Sequence, residues 1–293
     1  NLYVIIIMAF NQQDTECMSL ALKLSELGRA SVGANPMVGC VITRDDEIIA
    51  EDFHRKHGEG HAEINALEQI NHEANNTSLY VTLEPCSHHG KTPPCADALI
   101  KAGVKKVIIA MLDPNPLVSG NGVKMLQDAN IQVEVGLLED KASELNRGFV
   151  KRMRTGMPFV TSKIAMSLDG RTAMKNGESK WITSDAARKD VHKLRSENQV
   201  IMTGSGTIIN DNPMMTVRLN NFESNPLRVV IDSNNLINDK SLNIFSSNAD
   251  TLVLNSDNSK TLSNGKLDLQ SALRKLGEMG VNNLLLEAGS SLN

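Results

Sequence analysis

His61, Glu63, Cys86 and Cys95 are the residues of this chain whose types and spacing could do chemistry. The run His61-Ala62-Glu63 is followed by Pro85-Cys86, and a second cysteine comes at Cys95. Zinc favours imidazole and thiolate donors, and a catalytic zinc site uses three protein ligands and keeps its fourth position for water. His61, Cys86 and Cys95 supply three such donors. Glu63 is then free to move a proton, as in the H-x-E…P-C-x-x-C pattern of zinc deaminases. This chain departs from that pattern, because Ser87-His88-His89-Gly90-Lys91-Thr92-Pro93-Pro94 separates the cysteines. That stretch is rich in groups able to grip a phosphate. Two blander arrangements use the same residues: a closed structural zinc site with His88, His89 or Glu63 as fourth ligand, or no metal. Structural zinc sites typically show closely paired cysteines, and no such pair is present. The four cysteines are too few and too scattered for a disulfide framework. Cys17 and Cys40 read as buried small hydrophobes.

These residues need elements to position them, and a chain of 293 residues has room for two domains. Residue 15 reads as the cap of a helix carrying Met18, Ala21, Leu22, Leu24 and Leu27, stopped by Gly28. Residues 36–43 and 47–51 read as a hairpin, 79–83, 104–112 and 131–137 as further strands. Helices are expected over 61–70 with Ile64, Leu67 and Ile70 inward, over 95–102 closed by Gly103, and over 122–129. Strands alternating with helices imply a layered α/β domain. His61 and Glu63 then open one helix, and Cys86 and Cys95 flank the turn into another, where the helix dipole favours thiolates. A connecting helix is expected over 139–154, broken by Thr155-Gly156-Met157-Pro158.

A second α/β pattern follows. Strands are expected at 159–165, 200–203, 228–232, 251–254 and 283–287, with helices at 184–196, capped by Ser184 and Asp185, and at 269–278. Thr203-Gly204-Ser205-Gly206-Thr207 reads as a glycine-containing turn that lets backbone approach a phosphate, or as an ordinary loop. No G-x-G-x-x-G fingerprint is present, so a Rossmann site is not indicated. The strand ending in Glu287-Ala288-Gly289-Ser290-Ser291 should lead into a helix whose N-terminus could hold a phosphate, so the chain reads as C-terminally incomplete.

Composition narrows the classes. The chain is 41% hydrophobic and 3% aromatic with a net charge of −4. That suits an aliphatic α/β core and disfavours nucleic acid, which wants basic faces and stacking aromatics. The apolar run 2–10 is too short to span a membrane and lacks the basic region of a signal peptide. Met8 is the expected start, or else residues 3–7 form an edge strand. A cytoplasmic enzyme is the expectation.

The motifs together resemble the bifunctional riboflavin-biosynthesis deaminase/reductase family. They are N-P-M-V-G-C-V-I at 35–42, H-A-E at 61–63, T-L-E-P-C-S-H-H-G-K-T-P-P-C at 82–95 and D-P-N-P at 113–116 in the first half. In the second half they are S-L-D-G-R-T-A at 167–173, G-E-S-x-W-I-T-S at 177–184, D-N-P-x-x-T-V-R at 211–218 and E-A-G at 287–289. The resemblance implies an N-terminal cytidine-deaminase-like three-layer domain over residues 8–154 and a dihydrofolate-reductase-like α/β domain over 155–293. The implied substrate is 2,5-diamino-6-ribosylamino-4(3H)-pyrimidinone 5′-phosphate, deaminated with Zn2+ and then reduced at its ribosyl chain with NADPH. Its competitor is a deaminase with a non-reducing second domain.

The resemblance also implies site residues. Asn35 and His54 would read ring or ribose groups, with His88 and Lys91 near the phosphate. NADPH would lie near Ala165, Trp181, Thr207, Asp211, Ser233 and Gly289. Reductase substrate contacts map to Lys163, Ser179, Arg195, Met215, Arg218 and Glu287, with Arg195 and Arg218 suited to phosphate by their bidentate fork. A small phosphorylated pyrimidine is the implied partner, without nucleic acid or membrane. A homo-oligomer is compatible with this composition.

Overall fold

Reciprocal capping at Asn11 starts the first helix, α1 (Gln12–Glu26), one turn before the expected Thr15. The Asn11 side chain accepts the Asp14 N–H at 2.8 Å, and the Asp14 carboxylate accepts the Asn11 N–H at 3.0 Å. Two orphan donors are satisfied at once. Thr15 sits inside the helix with its hydroxyl on Asn11 O. The computed structural model describes residues 10–88, 93–175, 178, 181–220, 222, 225–289 and 292. The expected strand at 3–7, Met8, His89, Lys91, Ser179, Ser290 and Ser291 lie outside them. The chain divides into one compact unit ending at Arg154 and another beginning at Thr155.

In the first unit β1 (Gly39–Arg44) and β2 (Glu47–Phe53) form an antiparallel hairpin. Asp45 and Asp46 between them have φ of 48° and 70°, the left-handed pair that a two-residue hairpin turn requires. Strand β1 starts at Gly39 rather than 36, because the Met37 N–H and C=O are both bonded to the Asn146 side chain. A Cβ on Gly39 would stand 1.9 Å from Ala21 O, so glycine lets α1 lie directly on the strand. Next come α2 (Ala62–Gln69), β3 (Ser78–Val81), α3 (Cys95–Ala102), β4 (Lys106–Ile109), α4 (Asn121–Asp128) and β5 (Gln132–Val135). The sheet order is β2-β1-β3-β4-β5, with β3, β4 and β5 parallel. Helix α3 ends at Gly103, left-handed as its position after the last turn requires. The inward face of α2 is Ala62, Glu63, Ala66 and Leu67; Ile64 and Ile70 are only half-buried. The single helix expected over 139–154 is two, α5 (Glu139–Leu145) and α6 (Arg147–Thr155), meeting at Asn146.

The second unit is a five-stranded parallel sheet in the order β6-β10-β7-β8-β9. Its elements are β6 (Phe159–Ser162), α7 (Asp185–Ser196), β7 (Val200–Gly204), α8 (Ser205–Asp211), β8 (Leu227–Asp232), β9 (Thr251–Asn255), α9 (Leu269–Glu278) and β10 (Asn283–Leu286). Ser184 alone caps α7, accepting the Ala187 N–H at 3.3 Å; Asp185 is the first helical residue. Side chains alternate along the strands as the two-residue period dictates. Val200, Met202, Val229 and Ile231 pack with Leu276 of α9, while Ile201 and Val230 pack with Ile208 of α8. Both faces are therefore covered, as a parallel sheet requires. The sequence reading missed α8, because serine and two glycines at its head read as turn. Among the described residues no helix is long and apolar enough to cross a membrane.

Candidate functional site

In the first unit two helix starts carry His61 and Cys95, and Cys86 lies in the loop between β3 and α3. His61 is the N-cap of α2, with an extended backbone (φ −71°, ψ 162°) and no capping bond from its ring. Cys95 is the first residue of α3, behind Pro94. The His61 Nδ1 lies 3.2 Å from Cys95 Sγ and 3.6 Å from Cys86 Sγ. The three ligand atoms all fall within 4.8 Å of one another. Zn–N near 2.0–2.1 Å and Zn–S near 2.3 Å at a tetrahedral angle put neighbouring N and S donors about 3.6 Å apart. The triangle fits zinc. Among the described residues the cluster consists of these three; Glu63 and His88 do not join it.

Electrostatics prepares the donors unequally. The Cys95 thiol, the His61 ring and the Cys95 backbone N–H, at 3.2 Å, all point at Cys86 Sγ and bring its pKa down to about 4. Hydrogen bonding to that thiolate pushes His61 up to about 8. Cys95 moves the other way, raised by its bond to Cys86 and by burial. Without metal the two sulfurs therefore share one proton, held on Cys95. Glu63, 3% exposed in the first turn of α2, is raised by burial.

His61, Cys86 and Glu63 lie on the wall of a cavity of about 280 Å³. Asn35 and His54 line it, as do exposed His88 and, from α6, Phe149 and Met153. His54 Nδ1 is 2.9 Å from Gly60 O, which can only accept, so this nitrogen carries the proton. Its Nε2 then accepts from Asn35 Nδ2 at 2.9 Å. Burial holds His54 below its usual pKa, so it stays neutral. The structure thus turns His54 toward Asn35, and what it offers a ligand is a fixed Asn35 amide. Three residues that no role was read for stand here too. Glu84 is buried and accepts four backbone N–H groups, from Asp113 (3.0 Å), Gly120 (2.9 Å), Gly122 (2.8 Å) and Val123 (3.3 Å). Asp113, raised by burial, and Asn115 line the cavity from the loop so held.

In the second unit the C-terminal ends of neighbouring parallel strands collect the other residues. Lys163 follows β6, Glu287 follows β10, Thr207 and Asp211 lie on α8 after β7, and Ser233 follows β8. Open parallel sheets bind ligands at that edge, where the strand order switches. Arg195 grips Glu287 with two bonds, Nε at 2.6 Å and Nη2 at 3.0 Å, and donates from Nη1 to Thr216 O at 2.8 Å. Lys163 Nζ lies 3.6 Å from the same carboxylate. Burial pushes the Glu287 carboxyl up, but Arg195 and Lys163 outweigh it and hold the pKa below the usual value. The Arg195 fork expected on phosphate is therefore engaged by Glu287. Met215, expected to touch substrate, has its side chain in the core with Ile201 and Ile208, at a φ of 53°. Trp181 is exposed under the Arg188 guanidinium, 4.3 Å from the ring centre. Arg218 is exposed, its N–H on His192 Nδ1 at 3.2 Å. Ser233 Oγ accepts the Leu267 N–H at 3.2 Å. Ala165 is half-buried just past β6. At Gly206 and Gly289 no atom lies within 4 Å of where a Cβ would stand, so a cofactor could approach the backbone there.

Comparison with known proteins joins the two halves. Residues 11–111 match the cytidine and deoxycytidylate deaminase zinc-binding region, and residues 158–293 match the RibD C-terminal domain. The riboflavin biosynthesis protein RibD of Escherichia coli is 43% identical, over 96% of this chain and 83% of its own length. The chain belongs to the RibD family. Two solved RibD-type structures extend the match to three dimensions. Acinetobacter baumannii RibD superposes with a TM-score of 0.88 at 43% identity, covering 96% of this chain and 82% of that one. A Thermotoga maritima diaminohydroxyphosphoribosylaminopyrimidine deaminase/5-amino-6-(5-phosphoribosylamino)uracil reductase gives 0.87 at 38%, with the same coverage. As a RibD the chain is an enzyme of riboflavin biosynthesis with a deaminase and a reductase domain, and Zn2+ and NADPH are its cofactors. Its fold is cytidine-deaminase-like in the first unit and dihydrofolate-reductase-like in the second.

Proposed function

We propose that residues 8–154 deaminate 2,5-diamino-6-ribosylamino-4(3H)-pyrimidinone 5′-phosphate and that residues 155–293 then reduce its ribosyl chain to ribityl with NADPH. One observation carries the reading: buried Glu63 stands beside a three-donor triangle, two of whose members, His61 and Cys86, share with it the wall of a cavity of about 280 Å³. His61, Cys86 and Cys95 would hold zinc, which when bound lowers the pKa of water toward neutrality. Glu63 does the proton work. Its raised pKa lets it take a proton from water and return it to the ring nitrogen and the departing amine, a role worth roughly 10²–10⁴-fold. Asn35, fixed by His54, holds the ring by its amide, and His88 with Lys91 takes the phosphate end.

In the second unit NADPH supplies hydride. The Lys163–Glu287–Arg195 cluster would present the Lys163 ammonium to the ribose oxygens, while Ala165, Thr207, Asp211, Ser233 and Gly289 border the cofactor. The low aromatic content and the charge of −4 support a small-molecule partner over nucleic acid.

The test is Glu63→Gln. Glutamine keeps the shape and carries no proton. Zinc content should stay at one per chain while ammonia release falls by a factor on the order of 10² or more. Ammonia release within tenfold of the unmodified chain would remove Glu63 from the mechanism.

A further inference from the structure

The helix that follows the last strand of the first unit reads as a connector, yet it contacts the cavity at several points. Phe149 and Met153 of α6 line the cavity that holds His61 and Glu63. Arg152 of the same helix donates to Ala34 O at 2.8 Å. Asn146, at the junction of α5 and α6, is 3% exposed. Its Oδ1 accepts the Met37 N–H and its Nδ2 donates to Met37 O, both at 2.8 Å and across 109 residues of chain. Asn35 lies between those two anchors, and its amide is held from a third side by His54.

We propose that α6 is part of the deaminase site and that Asn146 is a positioning residue for Asn35. The physical reason is the state of the segment that carries Asn35. It runs ahead of β1, where the Asn35 N–H closes a local turn on Val32 O at 3.0 Å and Val38 O accepts the His54 N–H at 2.9 Å. Between those two bonds the chain is not in a regular strand, and further anchors come from the helix pair at Asn146. Asn146 satisfies one donor and one acceptor of Met37 in a buried place, where an unmet polar group is costly. Arg152 fixes the carbonyl on the other side. Asn35 is thereby presented to the cavity at one height and one angle. The same Asn146 is the C-cap of α5, ahead of the start of α6 at Arg147.

The inference rests on the deaminase reading above, and the experiment separates the two. Asn146→Asp keeps the acceptor for the Met37 N–H, loses the donor to Met37 O and sets two oxygens against each other. It is made in the full chain. Zinc content, ammonia release from the diaminopyrimidine phosphate and NADPH consumption with the deaminated product are measured. Zinc and NADPH consumption should match the unmodified chain. The KM for deamination should rise roughly tenfold, with a smaller change in kcat, since displacement by about 1 Å is enough for such losses. Arg152→Met should raise KM in the same direction by less, and Arg152→Lys should recover most of it; this pair decides the matter if the Asp variant does not fold. A KM unchanged in both positions overturns the proposal. So does a fall in kcat that tracks lost zinc with KM unaltered, which is what a purely structural residue would give. If the unmodified, zinc-loaded chain releases no ammonia, the deaminase reading itself fails, and the inference with it.

Discussion

At the residue scale, the metal triangle sets a proton stoichiometry that can be measured. Zinc needs a neutral imidazole and two thiolates. Without metal His61 is raised to about 8 and is protonated at pH 7. Cys86, at about 4, has already lost its proton, and Cys95, raised, has kept its own. One proton from His61 and one from Cys95 must leave, so zinc binding at pH 7 should release about two protons. The sign follows: between pH 8 and pH 4 acid competes with metal, and affinity should fall about a hundredfold per unit of pH lost. Zinc titration by calorimetry in buffers of different ionisation enthalpy reads the number directly. Release of no protons would mean that the triangle is already deprotonated and that the helix dipole at Cys95 dominates. That His61, Cys86 and Cys95 come together was legible in the sequence because their chemistry is in their type: few residues but His and Cys hold zinc. Glu84 and Asn146 were not, because each acts on backbone groups supplied by distant segments, and backbone groups leave no mark in a motif.

At the element scale, local signals were read well and tertiary ones were not. Helix α3 was legible from Pro94 at its head to Gly103 at its end, since both are rules of backbone geometry. The start of α1 was missed because Asn11 and Asp14 cap each other one turn before Thr15. The junction at Asn146 was missed because its cause lies 109 residues away. The Glu84 carboxylate shows how strongly one such contact can fix an element. It serves as the cap of α4 in place of Gly120, which has no side chain to offer. Glu84→Gln leaves an amide facing N–H donors, so at least two of the four lose their acceptor. At about 1–3 kcal/mol for each buried unmet group, the first unit should lose roughly 2–6 kcal/mol. Gly122→Ala tests the same seam from the other side, because its Cβ would stand 2.1 Å from Pro85 O. Thermal unfolding should show the first unit melting several degrees earlier in both variants, with the melting of the second unchanged. A Glu84→Gln chain as stable as the original would mean that water replaces the carboxylate and that the loop carrying Asp113 is held by other contacts.

At the scale of the whole molecule, each unit has its own core and its own site, built by different rules. The first places its chemistry at two helix starts beside a mixed sheet. The second gathers it at the C-terminal edge of a parallel sheet, around one buried carboxylate. The parallel pattern was legible from alternating strands and helices, whereas the place of β10 between β6 and β7 is a matter of topology that no local pattern carries. That place matters, because it puts Glu287 between Lys163 and the end of β7. The two activities should therefore be separable by single perturbations. Stripping zinc with a chelator would remove what His61, Cys86 and Cys95 are proposed to hold and would touch nothing in the second unit. Ammonia release should stop, while NADPH consumption with the deaminated product continues at its original rate. Glu287→Gln should do the reverse. Glutamine cannot balance Arg195 and Lys163, and breaking such a buried pair destabilises by roughly 3–5 kcal/mol. The Lys163 ammonium loses the carboxylate that aims it, so hydride transfer should fall by a factor on the order of 10², with zinc content and ammonia release unchanged. The measurement is a pair of assays on each of the two preparations, with far-ultraviolet circular dichroism to confirm that the Gln variant is folded. Hydride transfer that survives in a folded Glu287→Gln chain would show that Lys163 is aimed by other groups and that the Arg195–Glu287 pair only holds the sheet edge together.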